Sequence, residues 1–313
     1  MGKEKNQSFI IEFILLGLLD SNHYGLLFLT IILLVFMVAI IGNTILILLI
    51  RLDIRLHTPM YFLLSHLSFT DILHISNIVP MMASNFISGR KFITFAGCGF
   101  QIFLSLIFLG IECILLVAMS YDRYVAICHP LRYPMLMNHR ISVLMVAGCW
   151  LGGTINSTIH TTYTLKLPFC SRSIDHFFCE IPAMLKLSCV DTSQYERGVY
   201  VSAVFFLLLP FCTILASYGQ ILRTVLHIKS IAAQKKAFST CSSHLVVVIM
   251  YYGPSIFTYM RPRSYHTPGQ DKVLSITYTI LTPMLNPIIY SLRNKDVLCA
   301  LKTILGRVFM QKN

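Results

Sequence analysis

The fold is decided by residues 25–50, which read GLLFLTIILLVFMVAIIGNTILILLI and carry no charged side chain over 26 positions. A helix needs about 20 mostly apolar residues to cross the hydrocarbon core of a bilayer. Six further runs of that length occur at residues 59–87, 92–121, 141–165, 198–222, 237–260 and 273–292. Because these runs are continuously apolar and do not alternate, they favour helices over the strands of a membrane β-barrel. The sequence therefore predicts an all-α membrane protein, a bundle of seven transmembrane helices.

The overall composition indicates the same class. Of 313 residues, 56% are hydrophobic and only 12% are charged, whereas soluble globular proteins carry roughly 25% charged residues. Such a chain has too few polar groups to cover a surface in water, which excludes a soluble enzyme and a disordered chain. No Walker A, GxSxG, HExxH or CxxC pattern occurs, so we predict that the protein is not an enzyme.

The basic residues indicate the orientation in the membrane. With the N-terminus outside, the inner segments hold 14 Lys and Arg against 3 acids, and the outer segments hold 11 against 8. The net charges of +11 inside and +3 outside agree with the positive-inside rule. The glycosylation sequon at Asn6 also requires an outer N-terminus. We interpret the total of +12 as topology plus a basic face for anionic membrane lipids, and we predict no nucleic-acid partner.

This topology divides the chain into three parts. We expect an extracellular tail at 1–24, a seven-helix receptor domain at 25–292, and a cytoplasmic segment at 293–313 with a short amphipathic helix. Glu12 interrupts the apolar run near the N-terminus, so we expect the first span, and not a cleaved signal peptide, to direct insertion. No internal repeat is found, which disfavours the inverted-repeat transporters.

Two carboxylates lie inside predicted spans, Asp71 in span two and Glu112 in span three. Burying an ionised group in a bilayer is costly, so each needs a partner or a function. One interpretation is that a cation such as Na⁺ lies between them. The other is that one acid is protonated and hydrogen-bonded to a neighbouring amide such as Asn43 or Asn286. The spacing of the residues leaves both interpretations open.

Span seven contains prolines that interrupt its helical hydrogen bonds, and span four contains glycines that allow close packing against another helix. Pro283 and Pro287 each free a backbone carbonyl, which a neighbouring polar side chain can satisfy. They predict either a hinge or a static kink in span seven. Gly148 and Gly152 fit the small-xxx-small pattern, which predicts close packing inside the bundle, with a dimer contact as the alternative.

Several long strings occur in order on the predicted helices. They are Gly42-Asn43, LHTPMYF at 56–62, LSFTD at 67–71, MSYDRYVAIC at 119–128, KAFSTCSSHL at 236–245 and PMLNPIIY at 283–290. Together they resemble the vertebrate olfactory receptors of the tetrapod type (class II), within the rhodopsin-like G-protein-coupled receptors. The resemblance runs from about Phe9 to Leu305.

The resemblance implies a function and partners. A small volatile hydrophobic odorant would bind between spans three, five, six and seven of a plasma-membrane receptor. Span six would then move outward and admit an olfactory-type stimulatory Gα subunit of a heterotrimeric G protein, which raises cyclic AMP. A receptor for a metabolite outside the nose, and a transporter or channel, are the alternatives.

The resemblance also assigns residues to the inner switch and to an ion site. The coupling and switch residues are Asp122, Arg123, Tyr124, Asn286, Pro287 and Tyr290. Arg123 can pair with Asp122 in the resting state and be released on activation. The resemblance favours Na⁺ between Asp71 and Glu112 as an allosteric ion, and no other cofactor or metal is expected.

Four cysteines lie in outer segments and allow three disulfide connectivities. The resemblance implies the pairs Cys98–Cys179 and Cys170–Cys189. His176, Cys179 and Glu180 could together hold copper or zinc. Structural packing is favoured for these residues, because a disulfide removes the thiolate of Cys179.

The odorant pocket should be mostly apolar with few polar groups. The candidates are Ser105, Leu109, Ser202, Phe205, Phe206, Tyr252 and Tyr259, and each aromatic among them could equally be packing core. Ser105 stands where aminergic receptors place an acid, so a biogenic amine is disfavoured. Span seven contains no internal Lys, which excludes a retinal Schiff base.

Overall fold

The computed structural model describes residues 11–18, 23–292 and 294–310. Within these residues, seven helices are long and apolar enough to cross a membrane, which confirms the predicted count. Spans one to seven are His23–Leu52, Pro59–Ser88, Phe95–Cys128, His139–Leu165, Ser193–Leu226, Ile231–Tyr259 and Pro268–Ser291. Short helical turns between them lie at Ile54–Leu56, Pro130–Arg132, Tyr133–Leu136, Ile181–Leu185 and Arg263–Tyr265.

Spans five and seven each contain a π-helical turn. The turns are Val204–Leu208 in span five and Thr277–Leu281 in span seven. The α-helical pieces that they join are Ser193–Ala203, Leu209–Leu226, Pro268–Ile276 and Thr282–Leu292. A π-turn widens the helix locally, so side chains beyond it face directions that a 3.6-residue period does not predict.

Span three lies at the centre of the bundle and packs against spans two, four, five and six. It approaches span four most closely where a Cβ on Gly110 would lie 3.1 Å from the Cα of Gly153. The predicted pair Gly148 and Gly152 does not make this contact: a Cβ on Gly148 would meet nothing within 4 Å. The contact is made by Gly153, one residue after Gly152. Gly153 therefore provides the close approach, since a glycine brings two helix backbones together.

A side chain of span one supplies a hydrogen bond that the backbone of span seven lacks. Pro287 has no N–H, so the carbonyl of Pro283 lacks its helical donor. The fully buried Asn43 donates from Nδ2 to that carbonyl at 2.8 Å, as the sequence argument predicts for a neighbouring polar side chain. Gly42 makes room for the proline ring, because a Cβ there would lie 3.0 Å from Pro287 Cγ.

Three short strands cover one end of the bundle. The strands are β1 (Glu12–Leu15), β2 (Phe92–Thr94) and β3 (Ser173–Ile174), and β1 pairs antiparallel with β2 and parallel with β3. Phe13 of β1 is completely buried. This part of the predicted extracellular tail at 1–24 therefore packs against the bundle. Asn6 lies outside the described residues.

A helix at Lys295–Met310 follows span seven, as expected for the C-terminal segment. Val297 and Ala300 are completely buried, whereas Lys302 is exposed. Arg55, in the turn after span one, lies against the same helix and donates to Thr303 Oγ1 at 3.4 Å. The described part of this helix is therefore amphipathic and packs its apolar face on the bundle.

Candidate functional site

Two disulfides order the long loop between spans four and five. The bonds are Cys98–Cys179 and Cys170–Cys189, the two that the resemblance implies. The first ties the loop to span three, and Gln101 of that span accepts a hydrogen bond from the Cys179 amide at 2.9 Å. We call this the disulfide end of the bundle, and we call the opposite end, which carries Arg123, the Arg123 end.

Glu180 joins this loop to spans six and seven. Its buried carboxylate accepts hydrogen bonds from the hydroxyls of Tyr259 at 3.1 Å and Ser275 at 2.8 Å, and from that of Tyr278. Burial raises the pKa of Glu180, and the three donors partly oppose this. His176 Nε2 lies 3.5 Å from the carboxylate, and burial lowers the pKa of His176 to about 3. The sequence does not predict this cluster, because three of its members lie about 80 to 100 residues from Glu180 in the chain.

The copper or zinc alternative at His176, Cys179 and Glu180 receives no support from this arrangement. The sulfur of Cys179 is bonded to Cys98. The oxygens of Glu180 accept hydroxyl protons, and within the described ranges no group of three His, Cys, Asp or Glu residues could hold a metal ion.

An open cavity of about 410 Å³, its mouth included, lies in the half of the bundle nearer the disulfide end. Spans three, four, five and six and the turn at Ile181–Leu185 form its wall. The lining residues are Leu106, Leu109, Gly110, Cys113, Asn156, His160, Ile181, Val199, Ser202, Ala203, Phe206, Leu207 and Tyr259. The wall is mostly apolar, and its polar groups are few: Ser202 donates to Asn156 Oδ1 at 2.6 Å, and His160 lies beside them on span four.

Four of the predicted pocket residues line this cavity, namely Leu109, Ser202, Phe206 and Tyr259. Asn156 and His160 of span four, and Gly110 and Cys113 of span three, also line it and were not predicted. Gly110 and Cys113 continue the helical face that contains Leu109, so that signal was present in the sequence. The inward orientation of span four depends on its contact at Gly153, which the sequence does not show.

Three predicted pocket residues lie elsewhere. The ring of Phe205 is 62% exposed on the outside of the bundle, because neighbouring residues in the helical turn at 204–208 face different directions. Tyr252 is fully buried below the cavity and donates to the Cys113 carbonyl at 2.7 Å. Ser105 accepts a hydrogen bond from Asn77 of span two at 2.9 Å, on the other side of span three. These three residues therefore do not line the cavity.

A second cavity of about 400 Å³ adjoins the first towards the disulfide end. Ile181, Val199 and Tyr259 line both cavities. Arg261 and Glu196 line only the outer cavity, so it carries charged side chains that the inner cavity lacks. The hydroxyl of Tyr259 donates a hydrogen bond to Glu180. Glu180 therefore fixes the position of the Tyr259 side chain, which lies between the two cavities.

The two intramembrane acids have different partners. Asp71 Oδ2 accepts a hydrogen bond from Asn286 Nδ2 at 2.9 Å, and Glu112 Oε1 lies 2.9 Å from His74 Nδ1. Of the two amides that the sequence analysis offered, Asn286 is therefore the partner of Asp71. Asp71 Oδ1 and Glu112 Oε2 are buried and make no hydrogen bond within the described part of the chain.

The Arg123 end differs from the expected resting pair. Asp122 Oδ1 accepts a hydrogen bond from the Tyr133 hydroxyl at 2.8 Å. Burial and the Asp122 carboxylate both raise the pKa of Tyr133. Arg123 forms no ion pair among the described residues, and its Nε is buried without a partner. The turn after span three thus brings a tyrosine to Asp122, and the pairing of Arg123 with Asp122 in the resting state stays a prediction.

The other switch candidates lie around Arg123. The hydroxyl of Tyr290 in span seven is buried and has no partner among the described residues, and the same holds for Tyr218 in span five. Tyr124 instead faces the loop, where its hydroxyl lies 3.1 Å from His129 Nε2. Two buried hydroxyls and a guanidinium thus lack fixed partners at one end of the bundle.

Rhodopsin-like G-protein-coupled receptors are defined by this combination of seven spans, a disulfide from span three to the following loop, and the Asp-Arg-Tyr and Asn-Pro-x-x-Tyr sequences at the opposite end. A family model described as olfactory receptor matches residues 32–310. Olfactory receptor 2AJ1 of Homo sapiens is 65% identical over 309 residues, which cover 98% of this chain and 94% of that protein. Olfactory receptor 2L8 of Homo sapiens is 54% identical and covers 95% and 96%. The chain therefore belongs to the olfactory receptor family, whose members are multi-pass receptors of the plasma membrane and not enzymes.

Proposed function

We propose that a small volatile hydrophobic odorant binds in the 410 Å³ cavity between spans three, four, five and six. The observation that carries this proposal is the lining: an apolar wall with one small polar group of Ser202, Asn156 and His160. Ligand sites commonly combine an apolar wall with a few orienting polar groups. The outer cavity serves as the entrance, and Tyr259 stands between entrance and site.

The Arg123 end is the surface that couples to the G protein. In the orientation with the N-terminus outside, this end faces the cytoplasm, and the disulfides face the oxidising side. The unpaired Arg123, Tyr290 and Tyr218 are free to form new contacts when span six moves outward. The partner is a heterotrimeric G protein with an olfactory-type stimulatory α subunit, and the output is a rise in cyclic AMP.

A sodium ion is the proposed allosteric ligand between spans two and three. The support is that Asp71 Oδ1 and Glu112 Oε2 are buried oxygens without a hydrogen-bond partner, since oxygen ligands suit a small hard cation. Bound Na⁺ would neutralise charge at these carboxylates and favour the resting arrangement of Asn286.

The binding proposal is tested by a matched pair of variants in a cyclic AMP assay against an odorant library. Phe206→Ala removes a ring from the cavity wall, and we expect at least a tenfold loss of potency, about 1.4 kcal/mol. Phe205→Ala removes the same ring from the outer surface and should leave potency unchanged. Surface labelling of an N-terminal epitope controls for expression. Equal effects of the two variants would place the ligand elsewhere.

Coupling is tested separately with Arg123→Ala. We expect this variant to bind odorant with unchanged affinity and to lose the cyclic AMP response. A full response from a variant without Arg123 would contradict the coupling role.

A further inference from the structure

The inner cavity of 410 Å³ has few polar side chains in its wall, and some of them are already engaged by the protein. The polar side chains are those of Cys113, Asn156, His160, Ser202 and Tyr259. The Tyr259 hydroxyl donates to Glu180 at 3.1 Å, and the Cys113 thiol donates to the Tyr251 hydroxyl at 3.7 Å. Among the described residues no Asp, Glu, Lys or Arg lines this cavity. The cavity therefore suits a neutral ligand, and span four with Ser202 supplies its remaining hydrogen-bonding groups.

The contacts of His160 determine which of its ring nitrogens carries the proton. The side chain is buried and forms no ion pair in the described part of the chain, so the ring is neutral with one N–H. Nδ1 lies 3.3 Å from the hydroxyl oxygen of Tyr195 in span five. The Tyr195 hydroxyl also lies 2.9 Å from the His160 carbonyl, which can only accept, and donates its one proton there. The proton between the ring and Tyr195 therefore belongs to Nδ1, and Nε2 is left as an acceptor.

Nothing in the described ranges occupies that acceptor. His160 Nε2 makes no hydrogen bond there, and it is not one of the buried polar atoms that protein encloses without a partner. Since His160 lines the cavity, the open space beside Nε2 is the cavity itself. A ligand that approaches Nε2 must supply a proton to it.

Asn156 offers the opposite group one helical turn away. Its Oδ1 accepts the proton of Ser202 at 2.6 Å, which identifies the other amide atom as Nδ2. This NH₂ group donates to no atom of the described residues and is likewise absent from the enclosed unpaired atoms. Asn156 lines the cavity too, so its amide presents a donor to a ligand.

A donor at 156 and an acceptor at 160 lie on the same face of span four. Side chains four residues apart on a helix have Cβ atoms about 5–6 Å apart. One oxygen between them can reach both groups, because each hydrogen bond spans about 2.7–3.2 Å. A hydroxyl oxygen accepts from Asn156 and donates to His160. A carbonyl or ether oxygen can only accept, and it leaves His160 Nε2 unpaired inside an apolar wall.

We propose that this cavity selects odorants that carry a hydroxyl group, and that alcohols bind in preference to aldehydes and ethers of the same carbon skeleton. The inference rests on the proposed function, since it names the ligand class of the same site. Asn156 and His160 contact the hydroxyl, and the apolar wall covers the hydrocarbon part of the ligand. Tyr195 is a positioning residue, because its hydroxyl holds the proton of His160 on Nδ1.

The test uses matched sets of ligands on the full-length receptor. Each set contains an alcohol, the aldehyde and the methyl ether of one skeleton, over linear, branched and cyclic skeletons. We expect the alcohol to be about tenfold more potent than its ether in the cyclic AMP assay, about 1.4 kcal/mol. The melting temperature of the purified receptor is measured with the same ligands, so that binding is also followed without coupling. The alcohol should raise this temperature more than the ether does.

Variants of span four assign the preference to particular atoms. His160→Phe keeps a ring without the acceptor and should bring the alcohol down to the potency of its ether, whereas His160→Gln keeps an acceptor and should retain the preference. Asn156→Leu removes the donor and should weaken alcohols and aldehydes alike. Tyr195→Phe should reduce the ratio of alcohol to ether potency by less than His160→Phe does. Thr158→Val, which removes an exposed hydroxyl of the same helix, is the control and should change no ratio. Because each ratio compares two ligands on one variant, differences in expression cancel.

Equal potencies or equal melting shifts for alcohols and ethers would overturn the inference. A preference for alcohols that survives His160→Phe would place the hydroxyl at another group and would overturn it as well. Failure of the proposed binding site gives a different result. In that case Phe206→Ala would affect potency no more than Phe205→Ala, whichever functional group the ligand carries.

Discussion

Replacing Gly153 by alanine is expected to destabilise the bundle, although alanine is the better helix former. The new Cβ would lie 2.9 Å from the Ile107 carbonyl oxygen and 3.3 Å from Ile111 Cγ1. The carbonyl belongs to the backbone of span three and cannot rotate away, so the two spans must separate by a few tenths of an ångström. Overpacking of this kind costs about 1–3 kcal/mol.

Gly148→Ala is the matched control, because a Cβ there meets nothing within 4 Å on the same helix. Both variants gain about 1 kcal/mol of helix propensity, so the difference between them isolates the contact at Gly153. With roughly 2–4 °C per kcal/mol, we expect the Gly153 variant to melt about 6 °C below the Gly148 variant. A fluorogenic thiol dye reports unfolding, since Cys113 and Cys149 are buried. Equal melting temperatures would refute the close approach of spans three and four.

Three further outcomes are expected. Asn43→Leu leaves the Pro283 carbonyl without a donor and should lower the free energy of unfolding by about 1–3 kcal/mol in the same assay. Thr30→Val removes an exposed hydroxyl and should leave the free energy of unfolding unchanged. Burial lowers the pKa of His176 to about 3 in the folded chain, against 6.5 in the unfolded chain. As the pH falls below about 6.5, the unfolded chain therefore binds a proton that the folded chain does not bind, and the free energy of unfolding declines from there towards pH 3. His176→Phe should flatten this decline between pH 6.5 and 5, and a slope equal to that of the wild type would contradict it. Asp71→Asn should abolish any effect of Na⁺ on odorant potency, and unchanged sodium dependence would remove the ion-site proposal.

The proposed odorant site illustrates which pocket residues the helical period of about 3.6 residues can identify from the sequence. Leu109 was identified by stepping along span three, which is a regular α-helix over Phe95–Cys128, and the structure places it in the wall. The same method could not separate Phe205 from Phe206, because the π-helical turn alters the direction of both. Asn156 was not among the predicted pocket residues, whereas its side chain pairs with Ser202 inside the bundle.

The sequence by itself determined the seven spans and the family motifs. In a bilayer each helix satisfies its own backbone hydrogen bonds, so the apolar length of a segment is enough to define it. The conclusion that the inner face is basic also came from counting charges along the chain.

The tertiary structure alone decided which groups meet. The hydroxyls that meet on Glu180 and the contact of Gly153 with span three join elements distant in sequence, and the contact of Asp122 with Tyr133 joins span three to the turn after it. The physical reason is that close packing admits one rotation and depth for each helix, and that choice depends on the neighbouring helices and not on the local sequence.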